Sequence, residues 1–244
     1  MKKSRGQTQI RKIIEHRYSS HSNIYDYSLD RLQKIRRLLP ETGKLLEIGA
    51  WDGTTGRFYK TTFKGKLYGI DISTETFKYA KKYFDELKEC DLNSEKIPFP
   101  DNFFDVVICS EVIEHIYNTD RLLIEIKRIL KPSGILIIST PNLASFFNRI
   151  FILFGFQPLA TEVSAKVSTY GNKFRKNLLP SGHIRNFTYK AFRDIIINNG
   201  FYIIKKKASS ISNNRIIKFI ENFLGSISIE LGSDIILKCQ IKNK

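Results

Sequence analysis

Glu47 closes the apolar run Leu45, Leu46 and Ile48, and Gly49 and Gly53 follow it at once. Glycine lets a ligand come close to the backbone because no Cβ stands in the way. A carboxylate at that corner would repel a pyrophosphate and suits a cationic ligand. From Gly49 the spacing is G-x-x-x-G-x-x-G, not the G-x-G-x-x-G of pyrophosphate binders. Asp71 ends a second apolar run that starts at Leu67, where the second strand of a nucleotide-binding unit puts a carboxylate on ribose hydroxyls. Further on stand Glu111, Glu114 and His115, then His183 and Arg185. Either histidine is a candidate general base, although a structural histidine is the more frequent outcome. Glu111 and Glu114 would share one face of a helical turn, with pocket closure as their plainer role. Arg185 suits an acceptor carboxylate or phosphate, against the plainer alternative of a surface ion pair. No His, Asp or Glu cluster has metal-ligand spacing, so no metal is expected.

These groups need a frame, and the apolar pattern supplies it. Ser28 is a plausible N-cap for a helix carrying Leu32, Ile35, Leu38 and Leu39, which Pro40 stops. The strand at Lys44–Ile48 leads through the glycine turn to a helix capped by Thr54 or Thr55. Ser73 is expected to cap a helix burying Phe77, Ala80, Phe84 and Leu87. The unbroken apolar run Asp105–Cys109 predicts a strand covered on both faces. Thr119 is expected to cap the next helix, and Lys131–Gly134 to turn into the strand Ile135–Ser139. Strands alternating with helices of this length predict a parallel, doubly wound sheet.

After Thr140-Pro141-Asn142 the rhythm breaks. A helix is expected over Phe146–Phe156, then a largely polar stretch interrupted by Gly171. A loop this long after a strand's C-terminal end would overhang the ligand crevice. Order returns with Thr188 capping a helix that stops at Gly200, a strand from Phe201, a helix over Ile216–Leu224 and a last strand from Asp234. Four segments follow: a basic lead-in and helix (1–40), a cofactor-binding half (41–142), an acceptor-recognition lid (143–187) and the end of the same sheet (188–244).

With Cys90-Asp91-Leu92 and the stretch Ile97–His115 added, the ordered motifs from Leu45 to Asn142 resemble those of class I S-adenosylmethionine-dependent methyltransferases, of the small bacterial and archaeal kind. The run Thr140–Arg149 is similar to methyltransferases associated with surface-polysaccharide enzymes. The resemblance implies an α/β fold: a Rossmann-like, doubly wound, mostly parallel seven-stranded sheet with a terminal antiparallel strand. It also implies S-adenosylmethionine as cofactor. Glu47, Gly49, Ala50 and Gly53 would line its methionine end, Asp71 would hold the ribose with Ile72 against the adenine, Asp91 and Leu92 would meet the adenine, and Ser110 and Glu111 would close the pocket. Trp51 departs from the family, which has glycine at that place. Its ring is expected to lean away from the ligand.

The 244 residues can bury a full core, and 42% apolar content with 18 Phe is a globular composition. The net charge of +16 favours an anionic partner: nucleic acid, an acidic membrane surface touched peripherally, or an acidic acceptor. An evenly spread basic surface with no partner is the plain alternative. Three widely spaced cysteines read as buried thiols and fit a reducing cytoplasm. The start of the chain has no apolar core of a signal peptide, and no apolar run is long enough to span a membrane. The expected activity is methyl transfer to a hydroxyl or other small nucleophile of a glycan or metabolite, with His115 and His183 as candidate bases and Arg149 and Arg185 as candidate acceptor contacts. The alternatives are an RNA methyltransferase using the basic N-terminus, and a non-catalytic cofactor-binding protein.

Overall fold

The computed structural model describes residues 28–174 and 180–242. Residues 1–27 of the basic lead-in and helix read over 1–40 lie outside them. Seven strands form one sheet: β1 (Lys44–Ile48), β2 (Lys66–Asp71), β3 (Glu86–Glu89), β4 (Phe104–Ser110), β5 (Leu130–Pro141), β6 (Phe201–Ser209) and β7 (Asp234–Ile241). Their order is β3-β2-β1-β4-β5-β7-β6, with β7 antiparallel to both neighbours. The expected architecture is borne out, down to the terminal antiparallel strand. The chain order reverses between β1 and β4, the place where open α/β sheets take ligands beyond the strand ends.

Alternate side chains of each central strand feed two cores. Leu46, Ile48, Val107, Cys109, Leu136 and Ile138 face one side, packed on α4 (Thr119–Ile129) and α6 (Tyr189–Asn198). Leu45, Val106, Ile108 and Ile137 face the other, packed on α1 (Leu29–Arg36) and on Tyr59 and Phe63 at the end of α2 (Thr54–Tyr59). Both faces being covered explains the unbroken apolar runs. All three cysteines are buried and free.

Caps moved where a neighbour offered a better acceptor. Ser28 and Thr188 cap α1 and α6 as expected, each hydroxyl accepting from the amide three residues on. Asn118, not Thr119, caps α4. Gly53 stands at the N-cap of α2 in a left-handed conformation, Asp52 accepts the Thr54 amide, and the Thr55 hydroxyl is drawn to Glu47 instead. Ser73 caps nothing. Its amide is taken by Asp71, and the helix there shrinks to α3 (Phe77–Ala80), leaving Leu87 to the short strand β3.

The segment from Leu143 leaves the sheet with α5 (Phe146–Leu153) and returns at Phe187, whose carbonyl accepts the Leu143 amide at 2.8 Å. Its two ends are therefore neighbours, both at the C-terminal end of β5. The helix α7 (Arg215–Ile227) is turned inside out. Ile216 and Phe219 are 72% and 71% exposed, whereas Glu221 is 4% exposed and accepts the hydroxyls of Ser210 and Ser233. Among the described residues no helix is long and apolar enough to cross a membrane.

Candidate active site

The parallel register sets Glu47 beside Gly69 and Ile48 beside Ile70, so β1 and β2 end at the same edge. The loop from Gly49 folds over that edge, its first two amides donating to the Ile70 carbonyl at 2.9 and 3.0 Å. Glycine is required twice. Gly49 has φ 82° and a Cβ would lie 2.8 Å from Val112 Cγ2, while Gly53 has φ 79° and a Cβ would lie 2.7 Å from Ala80 Cα. Trp51 sits between them, also left-handed at φ 38°, in the conformation that glycine adopts without strain. Its amide donates to Asp71 Oδ2 at 2.9 Å, and Ser73 donates to Oδ1 at 3.0 Å. Two backbone amides thus hold the Asp71 carboxylate at the strand end. Burial lifts its pKa above the ordinary carboxylate value, against the pull of these amides.

Glu47 does not face the crevice openly. It is tucked beneath the loop, with Oε1 accepting from Thr55 and Oε2 buried without a hydrogen-bond partner. Burial, and then the nearby charges of Asp52 and Asp71, push its carboxyl up to about 8 although the Thr55 hydrogen bond pulls the other way. Three carboxylates under and beside one glycine loop suit a ligand with a cationic end and a hydroxylated part. Ala50 is buried in the loop and Ile72 is half-buried after Asp71. Asp91 turns into its own loop, accepting the Asn93 amide at 3.0 Å and the Ser94 hydroxyl at 2.9 Å, and Leu92 packs against the core.

At the end of β4, Ser110 and Ser139 hydroxyls lie 2.9 Å apart, and Ser139 donates to Glu111 Oε1 at 2.9 Å. Glu111 and Glu114 do not share a helical face. Glu111 is left-handed at φ 56° and precedes the 3-10 turn Ile113–His115, so the two side chains part. Glu111 reaches Arg31 Nη1 at 3.3 Å, and Glu114 turns inward to the Thr140 hydroxyl at 3.3 Å. Burial and then the Glu111 charge hold the Glu114 carboxyl well above its ordinary range.

The fold brings His183 to Glu114, with Nε2 3.9 Å from Oε1, and stacks its ring at a tilt on His115, centroids 4.8 Å apart. Each ring is anchored through Nδ1 to a backbone carbonyl: His115 to Gly182 at 3.1 Å, His183 to Ala160 at 2.8 Å. Glu114 and His183 line a small concavity with Pro141, Leu143, Ala160 and Arg185. Arg185 donates to the Tyr117 carbonyl at 2.6 Å. Arg149 stands apart from this concavity, holding the Ala144 carbonyl at 2.7 Å and lying 3.8 Å from Glu230.

Sequence reading missed Arg31 and Asp234, which meet at 2.9 Å beneath Glu111, and Thr140 beside Glu114. It also missed that Glu114, His115 and His183 each offer a ligand atom within 4.8 Å of the others. Spacing carries no sign of these meetings, because the partners come from distant elements.

A family model described as a methyltransferase domain matches residues 46–138. An uncharacterised protein of Methanocaldococcus jannaschii is 35% identical over 120 residues, which is 49% of this chain and 55% of that protein. A probable S-adenosylmethionine-dependent methyltransferase of Mycobacterium tuberculosis is 28% identical over 51% of this chain and 46% of its own length. The chain thus spans about half the length of these curated relatives. Among solved structures, a Thermotoga maritima S-adenosylmethionine-dependent methyltransferase, described as a possible histamine N-methyltransferase, superposes with TM-score 0.62 at 20% identity, covering 96% of this chain and 99% of that one. That likeness shows the fold, and the matched stretch 46–138 spans the glycine loop, Asp71 and the Glu114-His115 pair. Residues 46–138 thus carry a methyltransferase domain, and the chain as a whole has the fold seen in S-adenosylmethionine-dependent methyltransferases.

Proposed function

We propose that this chain methylates a hydroxyl of a small metabolite or glycan that carries an anionic group. The donor half fits the family's cofactor: a buried, unpartnered Glu47 oxygen and the Asp52 and Asp71 carboxylates favour a cation, and Asp71 is pre-aimed by two amides. Asp71 would hold the ribose hydroxyls, the loop Gly49–Gly53 the methionine end, and Glu47 would release its proton as the cation arrives and face it from below. S-adenosylmethionine, when bound, supplies an electrophilic methyl group on a sulfonium.

The acceptor half rests on one observation, the approach of His183 Nε2 to Glu114 Oε1 at 3.9 Å beside the concavity. A carbonyl can only accept, so Nδ1 of His183 carries the proton toward Ala160 and Nε2 is the basic nitrogen. His183 would take the acceptor's proton, and Glu114 would stabilise the imidazolium formed. Arg185 would bind the anionic group, and residues 143–187 would cover the acceptor and exclude water.

The test is transfer of labelled methyl from S-adenosylmethionine to cell-extract fractions, followed by identification of the product. The double variant His183→Ala/Arg185→Ala should abolish transfer and leave the S-adenosylhomocysteine isotherm unchanged. Transfer at the parent rate would remove the acceptor assignment. Labelled RNA with a steep salt dependence would favour an RNA acceptor instead.

A further inference from the structure

We infer that Glu114, His115 and His183 form a binding site for one divalent transition-metal ion of the zinc class. One ligand atom from each lies within 4.8 Å of the others, and the His183 Nε2 to Glu114 Oε1 distance is 3.9 Å. A tetrahedral ion with bonds of about 2.0–2.1 Å holds its ligands roughly 3.4 Å apart, so small side-chain rotations would close the site.

A second observation points the same way. Glu114 is 1% exposed and its Oε1, turned toward His183, has no hydrogen-bond partner, while Oε2 is satisfied by Thr140. A buried carboxylate oxygen in that state is costly unless something positive meets it.

The rings are also held in the way that metal-bound histidines are. Both Nδ1 atoms lie at backbone carbonyls, so both carry their proton there, and the Nε2 atoms are the lone-pair nitrogens. The two anchoring carbonyls belong to Gly182 and Ala160, at the far end of the 143–187 excursion. Two imidazoles and one carboxylate select zinc, cobalt, nickel or iron over magnesium, which prefers oxygen ligands and its own water.

Two of the three ligands, Glu114 and His183, border the concavity, and three protein ligands leave a coordination position for an outside oxygen. With an ion bound, the imidazoles serve as ligands, and the acidity of a coordinated hydroxyl comes from the ion's charge in place of a histidine base. That role rests on the methyl-transfer reading; ion binding itself does not.

The experiment uses untagged full-length protein, stripped with chelator and titrated with Zn²⁺ by calorimetry and with Co²⁺ by visible absorption. One ion per chain is expected, at micromolar affinity or tighter, with Co²⁺ bands more intense than those of the aqueous ion. Glu114→Gln and His183→Ala should each weaken uptake at least tenfold, with S-adenosylhomocysteine binding retained as the check on folding. No saturable uptake by the parent, or uptake that survives Glu114→Gln and His183→Ala combined, would overturn the site. Should a variant fail to fold, the Co²⁺ spectrum of the unaltered protein decides, and an aqueous-like spectrum overturns it. Methyl transfer that persists in excess chelator would discard the ion's role and keep the proposed activity. Stoichiometric zinc without any transfer would keep the ion site and discard the proposed activity.

Discussion

Arg31 on α1 and Asp234 at the start of β7 are 203 positions apart and meet at 2.9 Å, both nearly sealed from solvent. Glu111 shares the same guanidinium at 3.3 Å, so two carboxylates stand on one cation. Burial and then the Glu111 charge raise the Asp234 carboxyl above its ordinary range, and Arg31 pulls it back. This group ties the first described helix and the last strand to the end of β4, behind the candidate acceptor site.

Removing one partner of such a buried group leaves an uncompensated charge. Arg31→Met is expected to cost about 3–5 kcal/mol of stability, and a paired Arg31→Met/Asp234→Leu change distinctly less than the sum of the single changes. Urea unfolding of the three variants measures this. Additive losses would show that the two side chains are not coupled.

Glu47 gives a pH dependence with a definite sign. Its folded-state value of about 8 lies above the unfolded value, so the folded protein keeps the proton longer. Its contribution is fully present below the unfolded value and is lost as pH rises through the folded one. With about 1.4 kcal/mol per pK unit, the loss between about pH 5 and pH 8 amounts to a few kcal/mol. Unfolding midpoints of the parent should therefore fall across that window relative to Glu47→Gln. Parallel curves would place the titration elsewhere.

At Asp71 the expected effect is on the cofactor. Asp71→Ala should weaken S-adenosylhomocysteine binding by about 1–3 kcal/mol, the scale for stranding hydrogen-bonded groups. The Trp51 and Ser73 amides lose their acceptor too, so Asp71→Asn serves as the control for loop geometry. Calorimetric binding as tight as the parent's would withdraw Asp71 from the donor site.

Trp51 offers a separate check. Its left-handed backbone suits glycine, so Trp51→Gly should leave stability within about 1 kcal/mol and cofactor affinity within a few-fold. A hundredfold gain in affinity would mean that the indole obstructs the crevice.

On α7 the usual pattern of sensitivity should invert. Phe219→Ser removes an exposed ring and is expected to change stability by no more than about 0.5 kcal/mol. Glu221→Leu strands the Ser210 and Ser233 hydroxyls and should cost about 1–3 kcal/mol. Thermal unfolding of the two variants side by side shows which face holds the helix.

Local pattern was enough for the donor half, because its determinants lie close together along the chain. Leu45–Gly53 is one strand and its turn, and Asp71 ends the next strand, so period, glycine and carboxylate are all legible within short windows. The antiparallel end of the sheet was legible only through the family resemblance. Caps were less readable: Thr54, Ser73 and Thr119 are good capping types, but Gly53, Thr76 and Asn118 hold those positions once neighbouring carboxylates and backbone are in place.

The acceptor half was decided by tertiary structure. Glu114 and His115 are adjacent in sequence, yet His183 reaches them only because the excursion after Asn142 returns to pair Phe187 beside Leu143. Nothing in the spacing of Arg31, Glu111 and Asp234 marks their meeting either, since it depends on which strand ends the sheet places side by side. A sequence fixes what its neighbours can do over a few residues, through periodicity and turn chemistry. Contacts between distant charges follow from strand order and register, which only the assembled sheet supplies.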